Sequence, residues 1–275
     1  MVFNRYDVIN LRPIWGMIKA IFFDIDGTLV SFNTHRIPDS AIKAIAKVKS
    51  KGIRIYISTG RPFSLINNLN EIQHFIDGYI TTNGALCFSG NDIISCTPIP
   101  IEDVQTMIAF SDKMRFPCMI VGEKDLIMYN SDERTDVIFR QMLNVQNLRE
   151  DNRLEAILQQ RILQLTPVIS EAEEQIIMPH MKGSVSSRWF PDFADITARD
   201  ANKGNGLMNV ISYLGFNPEE TMAFGDGGND VSIIQKAGIG IAMANAGQEL
   251  KEAADYITSS VDDNGVYNAL KHFII

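Results

Sequence analysis

Residues 20–30 read AIFFDIDGTLV. The first half is a continuous apolar run, which suits a strand covered on both faces in a parallel sheet. It ends in two aspartates, Asp24 and Asp26, with one isoleucine between them and Gly27 behind. A buried strand has no structural use for two carboxylates at its tip. A site that handles a cation or a phosphate does.

Working outward, strand and helix patterns alternate. IKAIFFDI (18–25) is a strand and PDSAIKAIAKVKSKG (38–52) a helix, with Pro38 and Asp39 suited to its first turn and Gly52 to its end. IRIYIST (53–59) is a strand, RPFSLINNLNEIQ (61–73) a helix, and DGYITTNGA (77–85) a strand. The far end repeats the alternation: helix 206–215, strand 221–227, helix 230–238, strand 239–246, helix 248–254, short strand 255–260 and helix 265–274. This order predicts an α/β fold with a doubly wound, Rossmann-like parallel sheet. The middle differs. It mixes strands at 93–95, 125–131 and 162–169 with an amphipathic helix at 101–114. A capping box from Ser170 to Glu173 opens the segment 170–181, and 184–197 looks like a hairpin. The expected organisation is a core of 17–85 and 191–275 with an inserted α+β cap at 86–190. Residues 1–16 precede Met17 and are expected to be an upstream extension outside the fold.

The chain has 275 residues, enough for a large core, with 45% apolar and 21% charged residues. Net charge is −8, which argues against nucleic acid or an anionic membrane as partner. An anionic substrate would need local chemistry or a metal to hold it. Cys87, Cys96 and Cys118 are sparse and show no CxxC spacing, as expected of reduced thiols in a cytoplasmic protein. No apolar run reaches the ~18 residues of a membrane span.

In open α/β sheets, ligands bind beyond the carboxyl ends of the strands. The first strand offers Asp24 and Asp26 there. The second offers Ser58, Thr59, Gly60 and Arg61; the third, Thr82, Asn83 and Gly84. The strand in TMAFGDGGND offers Asp226, Asn229 and Asp230, and Lys203 lies beside the helix before it. Asp24, Asp26 and Asp226 make a hard oxygen site of the kind Mg2+ takes with phosphate oxygens and water. A lysine and a hydroxyl complete a cradle for a phosphoryl group. An aspartate in reach of phosphorus can attack it, and a second carboxylate can carry the proton. Each of these signals is weak alone, since Gly/Asn/Asp clusters are usually turns. Their joint placement at strand ends is what carries weight.

DIDGTLV, STGR, the KGNG at 203–206 and GDGGND together resemble the four motifs of the haloacid dehalogenase superfamily of phosphohydrolases. TTNGA and the insert of about a hundred residues after it resemble the Cof-type sugar-phosphatase branch, with its large α+β cap. The resemblance runs from Met17 onward. It implies a Mg2+-dependent phosphatase of small phosphate esters, hexose phosphates above all. It implies Asp24 as nucleophile, Asp26 as general acid/base, and Thr59 and Lys203 on the phosphoryl group. It implies Mg2+ on the side chains of Asp24 and Asp226 and the backbone carbonyl of Asp26. Asn229 and Asp230 would orient the lysine and a metal-bound water, while Gly60, Arg61, Asn83 and Gly84 would line the substrate entrance. Ser58 and Thr59 compete for the phosphate role, and the place directly before Gly-Arg favours Thr59.

Three alternatives stand beside this expectation: a phosphotransferase or mutase on the same core, a phosphatase of pyridoxal phosphate or flavin mononucleotide, and a non-catalytic phosphate sensor. The oligomeric state is left open, a monomer being compatible. The scattered histidines His35, His74, His180 and His272 suggest no cluster, and His35 is expected to be exposed. Met107, Met114, Met119, Met128 and Met142 are expected to fill the cap core. Arg188 and Trp189 are expected to pack rather than meet substrate.

Overall fold

The computed structural model describes residues 18–142 and 154–275. The expected extension at 1–16 lies outside them. In chain order the first elements are β1 (Ala20–Phe23), α1 (Asp39–Ser50), β2 (Arg54–Ser58), β3 (Gly78–Thr81), β4 (Leu86–Ser89) and β5 (Asp92–Cys96). Next come α2 (Ile101–Met114), β6 (Cys118–Gly122), β7 (Leu126–Tyr129), α3 (Glu133–Thr135), α4 (Leu154–Ile157), β8 (Ile162–Pro167), α5 (Glu171–Ile177), β9 (Ser184–Phe190) and β10 (Phe193–Ala198). The last are α6 (Lys203–Leu214), β11 (Thr221–Gly225), α7 (Val231–Lys236), β12 (Ile239–Ala242), α8 (Gln248–Ala253), β13 (Tyr256–Ile257) and α9 (Gly265–Phe273).

Two compact units result: one of residues up to 61, 66–95 and 202–275, the other of 62–65 and 96–201. The first holds an eight-stranded sheet in the order β13-β12-β11-β1-β2-β3-β4-β5. The strands from β13 to β3 are parallel, and β4 turns back antiparallel to β3. The apolar run of β1 lies at the centre because both its faces are needed. Ile21 and Phe23 pack with α1 and α9 through Ile45, Val48, Leu270 and Phe273. Ala20 and Phe22 pack with α6 and α7 through Leu207, Val210, Ile233 and Ile234. Helices thus cover both faces of the sheet, as the alternation predicts. The chain order reverses between β2 and β11, the two neighbours of β1, so the ligand crevice of such a sheet belongs at the end of β1.

Several segments depart from the sequence reading. Residues 61–73 form no α-helix, only single 3-10 turns at Phe63–Leu65 and Gln73–Phe75. Leu65 belongs to the second unit, where it packs with Met119, Met128, Phe139 and Phe193, while Leu69 and Ile72 are buried in the first. One helix stripe could not serve both, and the asparagines at 67, 68 and 70 favour turns. The strand at 92–96, expected in the insert, instead ends the first unit's sheet after β4, so the units change over after 95 and 201 rather than after 85 and 190. The sequence pattern predicts no strand at β4 or at β6; for β6 the physical reason is plain. All its residues are buried, so it shows no alternation to read.

The second unit is an antiparallel sheet, β7-β6-β8-β10-β9. One face packs on α2 and α5 through Val104, Met107, Ile177, Leu165 and Ile196. Met107 belongs to this cluster, with Met114 packed against it, while Met119 and Met128 fill the opposite face, as expected of core filler. The capping box Ser170–Glu173 is formed. Arg188 packs too: it pairs with Glu174 at 2.6 Å and donates to the carbonyls of Pro191, Phe193 and Ile169.

Asp77 anchors the first unit between β2 and β3. Its carboxylate accepts from Lys49, from Arg54 and from the Ile55 N–H. Burial alone would raise its pKa; these three donors outweigh it and hold the group below the ordinary value of 3.8. Such a group stabilises the fold above that value and ceases to do so as pH falls through its lowered folded pKa. Asp77→Ala is therefore expected to cost about 2 kcal/mol in urea unfolding at pH 7, with the gap to the native chain narrowing below pH 3.8. A gap that stays constant with pH would assign the loss to packing.

Candidate active site

The loops after β1, β2, β3 and β11 and the first turn of α6 meet at one end of the sheet. Asp24 follows β1 and is 6% exposed. Lys203 opens α6 and is wholly buried. Its ammonium donates to Asp24 Oδ1 at 2.7 Å and to Asp230 Oδ1 at 2.6 Å. A buried lysine is costly unless paired. Burial pushes its pKa down, but Asp230 and Asp24 outweigh that and raise it. Asp230 Oδ2 accepts from the backbone N–H groups of Asp226 and Gly227, so both its oxygens are engaged.

Asp226 is the third member of the cluster. One carboxylate oxygen from each of Asp24, Asp226 and Asp230 lies within 4.8 Å of the others. Asp226 Oδ1 accepts from Thr28 Oγ1 at 2.9 Å, and Oδ2 from Asn245 Nδ2 at 3.2 Å. Burial, then the charge of Asp230, pushes Asp226 up to about 6. Burial likewise raises Asp24, against Lys203 and with help from Asp230, Asp226 and Asp26. One ammonium thus leaves negative charge uncompensated here. Closely set hard oxygens with excess negative charge fit a divalent cation such as Mg2+.

Asp26 is paired separately. Arg61 grips it with two bonds, Nε to Oδ2 at 2.7 Å and Nη2 to Oδ1 at 2.8 Å. Its carboxylate is not among the three whose oxygens cluster. Thr59 Oγ1 accepts from the Arg61 N–H at 3.1 Å, which leaves the hydroxyl proton for an incoming acceptor. The Ser58 hydroxyl is buried without a partner.

Strand β3 stops at Thr81, and the next three residues all take positive φ: Thr82 at 48°, Asn83 at 53° and Gly84 at 93°. This is a strained path for a β-branched threonine. It is held by bonds from the Thr82 N–H to Arg61 O and from the Asn83 N–H to Thr59 O, both 3.1 Å. Asn229 does not reach Lys203, whose partners are the two aspartates. It donates to Asn83 Oδ1 at 2.9 Å, tying the loop after β11 to that after β3. Gly60 lies under this pair, since a Cβ there would come within 3.1 Å of Asn83 Oδ1. The structure thus gathers Asp24, Asp226, Asp230 and Lys203 at the centre, with Asp26, Thr59, Gly60, Arg61, Asn83, Gly84 and Asn229 around the neighbouring loops. Sequence reasoning missed Thr28 and Asn245. Asn245 follows β12, a strand end left unread, while Thr28 lies inside DIDGTLV, behind the two aspartates that drew the reading. His35 is exposed, as expected.

The profile of the family described as haloacid dehalogenase-like hydrolase matches residues 21–270. The chain belongs to this family. Among solved structures it resembles the HAD subclass IIB sugar phosphatase BT4131, with 45% sequence identity and a TM-score of 0.86 over 93% of this chain and 98% of that one. Among curated proteins it is 30% identical over 254 residues to YkrA of Bacillus subtilis, covering 92% of this chain and 96% of YkrA. It is 28% identical over 274 residues to YcsE of the same organism, named as a 5-amino-6-(5-phospho-D-ribitylamino)uracil phosphatase, covering 94% and 96%. This haloacid dehalogenase-like hydrolase is a Cof-type phosphatase.

Gly27 is the tightest point of its site. It has φ +84°, and a Cβ there would lie 2.1 Å from Asp226 Oδ2. Gly27→Ala is expected to cost about 2 kcal/mol and, by displacing Asp226, to cut phosphate release about 100-fold. Gly90→Ala is the control. Gly90 also has positive φ, but nothing lies within 4 Å of its added Cβ. It is expected to lose stability without losing activity, as thermal melts and phosphate assays on both variants would show.

Proposed function

We propose that this phosphatase hydrolyses small phosphorylated metabolites, hexose phosphates foremost, with Mg2+ at the carboxylate cluster and through an aspartyl-phosphate on Asp24. The observation that carries the reading is the buried Lys203, which holds Asp24 Oδ1 at 2.7 Å. That bond fixes the carboxylate and leaves Oδ2 to meet phosphorus. Asp24 and Asp226 side chains, with the Asp26 carbonyl, would hold Mg2+. Bound there, the ion would offset the charge of the carboxylates and of the phosphoryl group.

In the first half of the reaction, an Asp24 oxygen bonds to phosphorus as the bond from phosphorus to the ester oxygen breaks. Asp26 gives its proton to that leaving oxygen. In the second half, Asp26, now a carboxylate, takes a proton from water. The water oxygen bonds to phosphorus, the Asp24–phosphorus bond breaks, and inorganic phosphate leaves. Arg61 must release Asp26 before it can carry a proton, and the phosphoryl anion of the substrate competes for the same guanidinium. Thr59 donates its hydroxyl proton to a phosphoryl oxygen, and Lys203 neutralises charge beside it. Gly60, Arg61, Asn83, Gly84 and Asn229 shape the entrance.

The likeness to a sugar phosphatase at 45% identity supports sugar phosphates over the pyrimidine class named for YcsE. A cytoplasmic setting, with neither nucleic acid nor membrane as partner, is part of the proposal and rests on the three free cysteines and the net charge of −8.

The test is phosphate release from a panel of hexose and pentose phosphates, nucleotides, pyridoxal phosphate, flavin mononucleotide and the ribitylaminouracil phosphate. Hexose phosphates should rank first, EDTA should abolish turnover, and Asp24→Asn should lower kcat by at least about 10⁴-fold. A different class ranking first would overturn the substrate assignment. Activity that survives Asp24→Asn would overturn the covalent route. Transfer to an acceptor sugar without release of phosphate would make the enzyme a phosphotransferase.

A further inference from the structure

Asn245 lies in the turn after β12. The turn is fixed from two sides: the Met243 N–H donates to Gly225 O at 3.0 Å, and the Ala244 N–H to Ser259 O at 3.3 Å. Within it, the Asn245 side chain uses every polar atom of its amide. Nδ2 donates to the Gly27 carbonyl at 2.9 Å and to Asp226 Oδ2 at 3.2 Å, while Oδ1 accepts from the Val261 N–H at 3.2 Å. One planar group thus joins the loops after β1, β11 and β13. Two donors and one acceptor at these places are what a primary amide supplies. Aspartate could not donate there and would add charge to a site already rich in carboxylates.

Asp226 needs this support. Thr28 restrains one carboxylate oxygen, so the Asn245 bond to the other sets the rotation of the carboxylate plane. Each oxygen then keeps one lone-pair direction for a cation, and the direction is fixed before the cation arrives. We propose that Asn245 is a positioning residue for divalent-cation binding, acting through the orientation of Asp226. The inference rests on the reading of the carboxylate cluster as a Mg2+ site.

The experiment is calorimetric titration of the whole protein with Mg2+ alone, without substrate, for the native chain and for Asn245→Ala. Thermal melts in EDTA and over a Mg2+ series run alongside. Asn245→Ala is expected to weaken Mg2+ binding about tenfold. At saturating Mg2+ its added stability should then fall short of the native gain by about 1.4 kcal/mol. A purely structural role would lower the melting temperature equally with and without Mg2+ and leave the affinity alone. Asn245→Ser is the second variant, should the alanine protein not fold. Mg2+ affinity within twofold of native in a folded variant overturns this inference and leaves the Mg2+ reading standing. Failure of the native protein itself to bind Mg2+ overturns both.

Discussion

The site depends on one buried cation. Lys203 has no access to water, so its charge is tolerable only with Asp24 and Asp230 against it. It also sits in the first turn of α6, the positive end of a helix, which disfavours it further. The two carboxylates must therefore be in place whenever the fold is. That requirement draws together the end of β1, the start of α6 and the turn after β11. Asp230, held by the lysine through one oxygen, captures the N–H groups of Asp226 and Gly227 with the other. The placement of Asp226 is thus a consequence of the placement of Lys203.

A second set of restraints surrounds the first. The backbone at 82–84 is pulled into the left-handed region and held there by bonds to Thr59 and Arg61, and Asn83 is tied to Asn229. Strain of this kind persists only where neighbours over-determine it. Here they make the loops after β2, β3 and β11 into one piece. A phosphoryl group entering such a site meets oriented donors rather than side chains that must first be ordered, which is the electrostatic advantage of a preorganised site.

The centre of this arrangement was legible in the sequence because polar residues at the ends of apolar runs break the pattern a core strand demands. Asp24, Asp26 and Asp226 stand at such ends; Lys203, at the start of a helix, gains weight only in combination with them. What was hidden is partner choice. Nothing in the order of residues says that Arg61 grips Asp26, that Asn229 turns to Asn83, or that Asp230 rather than Asp26 joins the clustered carboxylates. Periodicity failed where tertiary demand divides a segment, as at 61–73, and where burial on both faces erases alternation, as in β6. The Asn245 amide escaped notice because an asparagine in a turn is ordinarily explained by the turn itself.

The short segment 62–65 has a consequence for how the chain can be divided. An inserted unit is commonly joined to its host by two crossings of the backbone. Here the chain passes between the units after 61, 65, 95 and 201, and Leu65 supplies part of the second unit's apolar cluster. Excising 96–201 as a separate module would leave a hole where Leu65 belongs, and the remaining unit would carry an orphaned loop beside Arg61. The insert is thus not a cassette. Grafting it onto another phosphatase core would require the four residues after the arginine to travel with it.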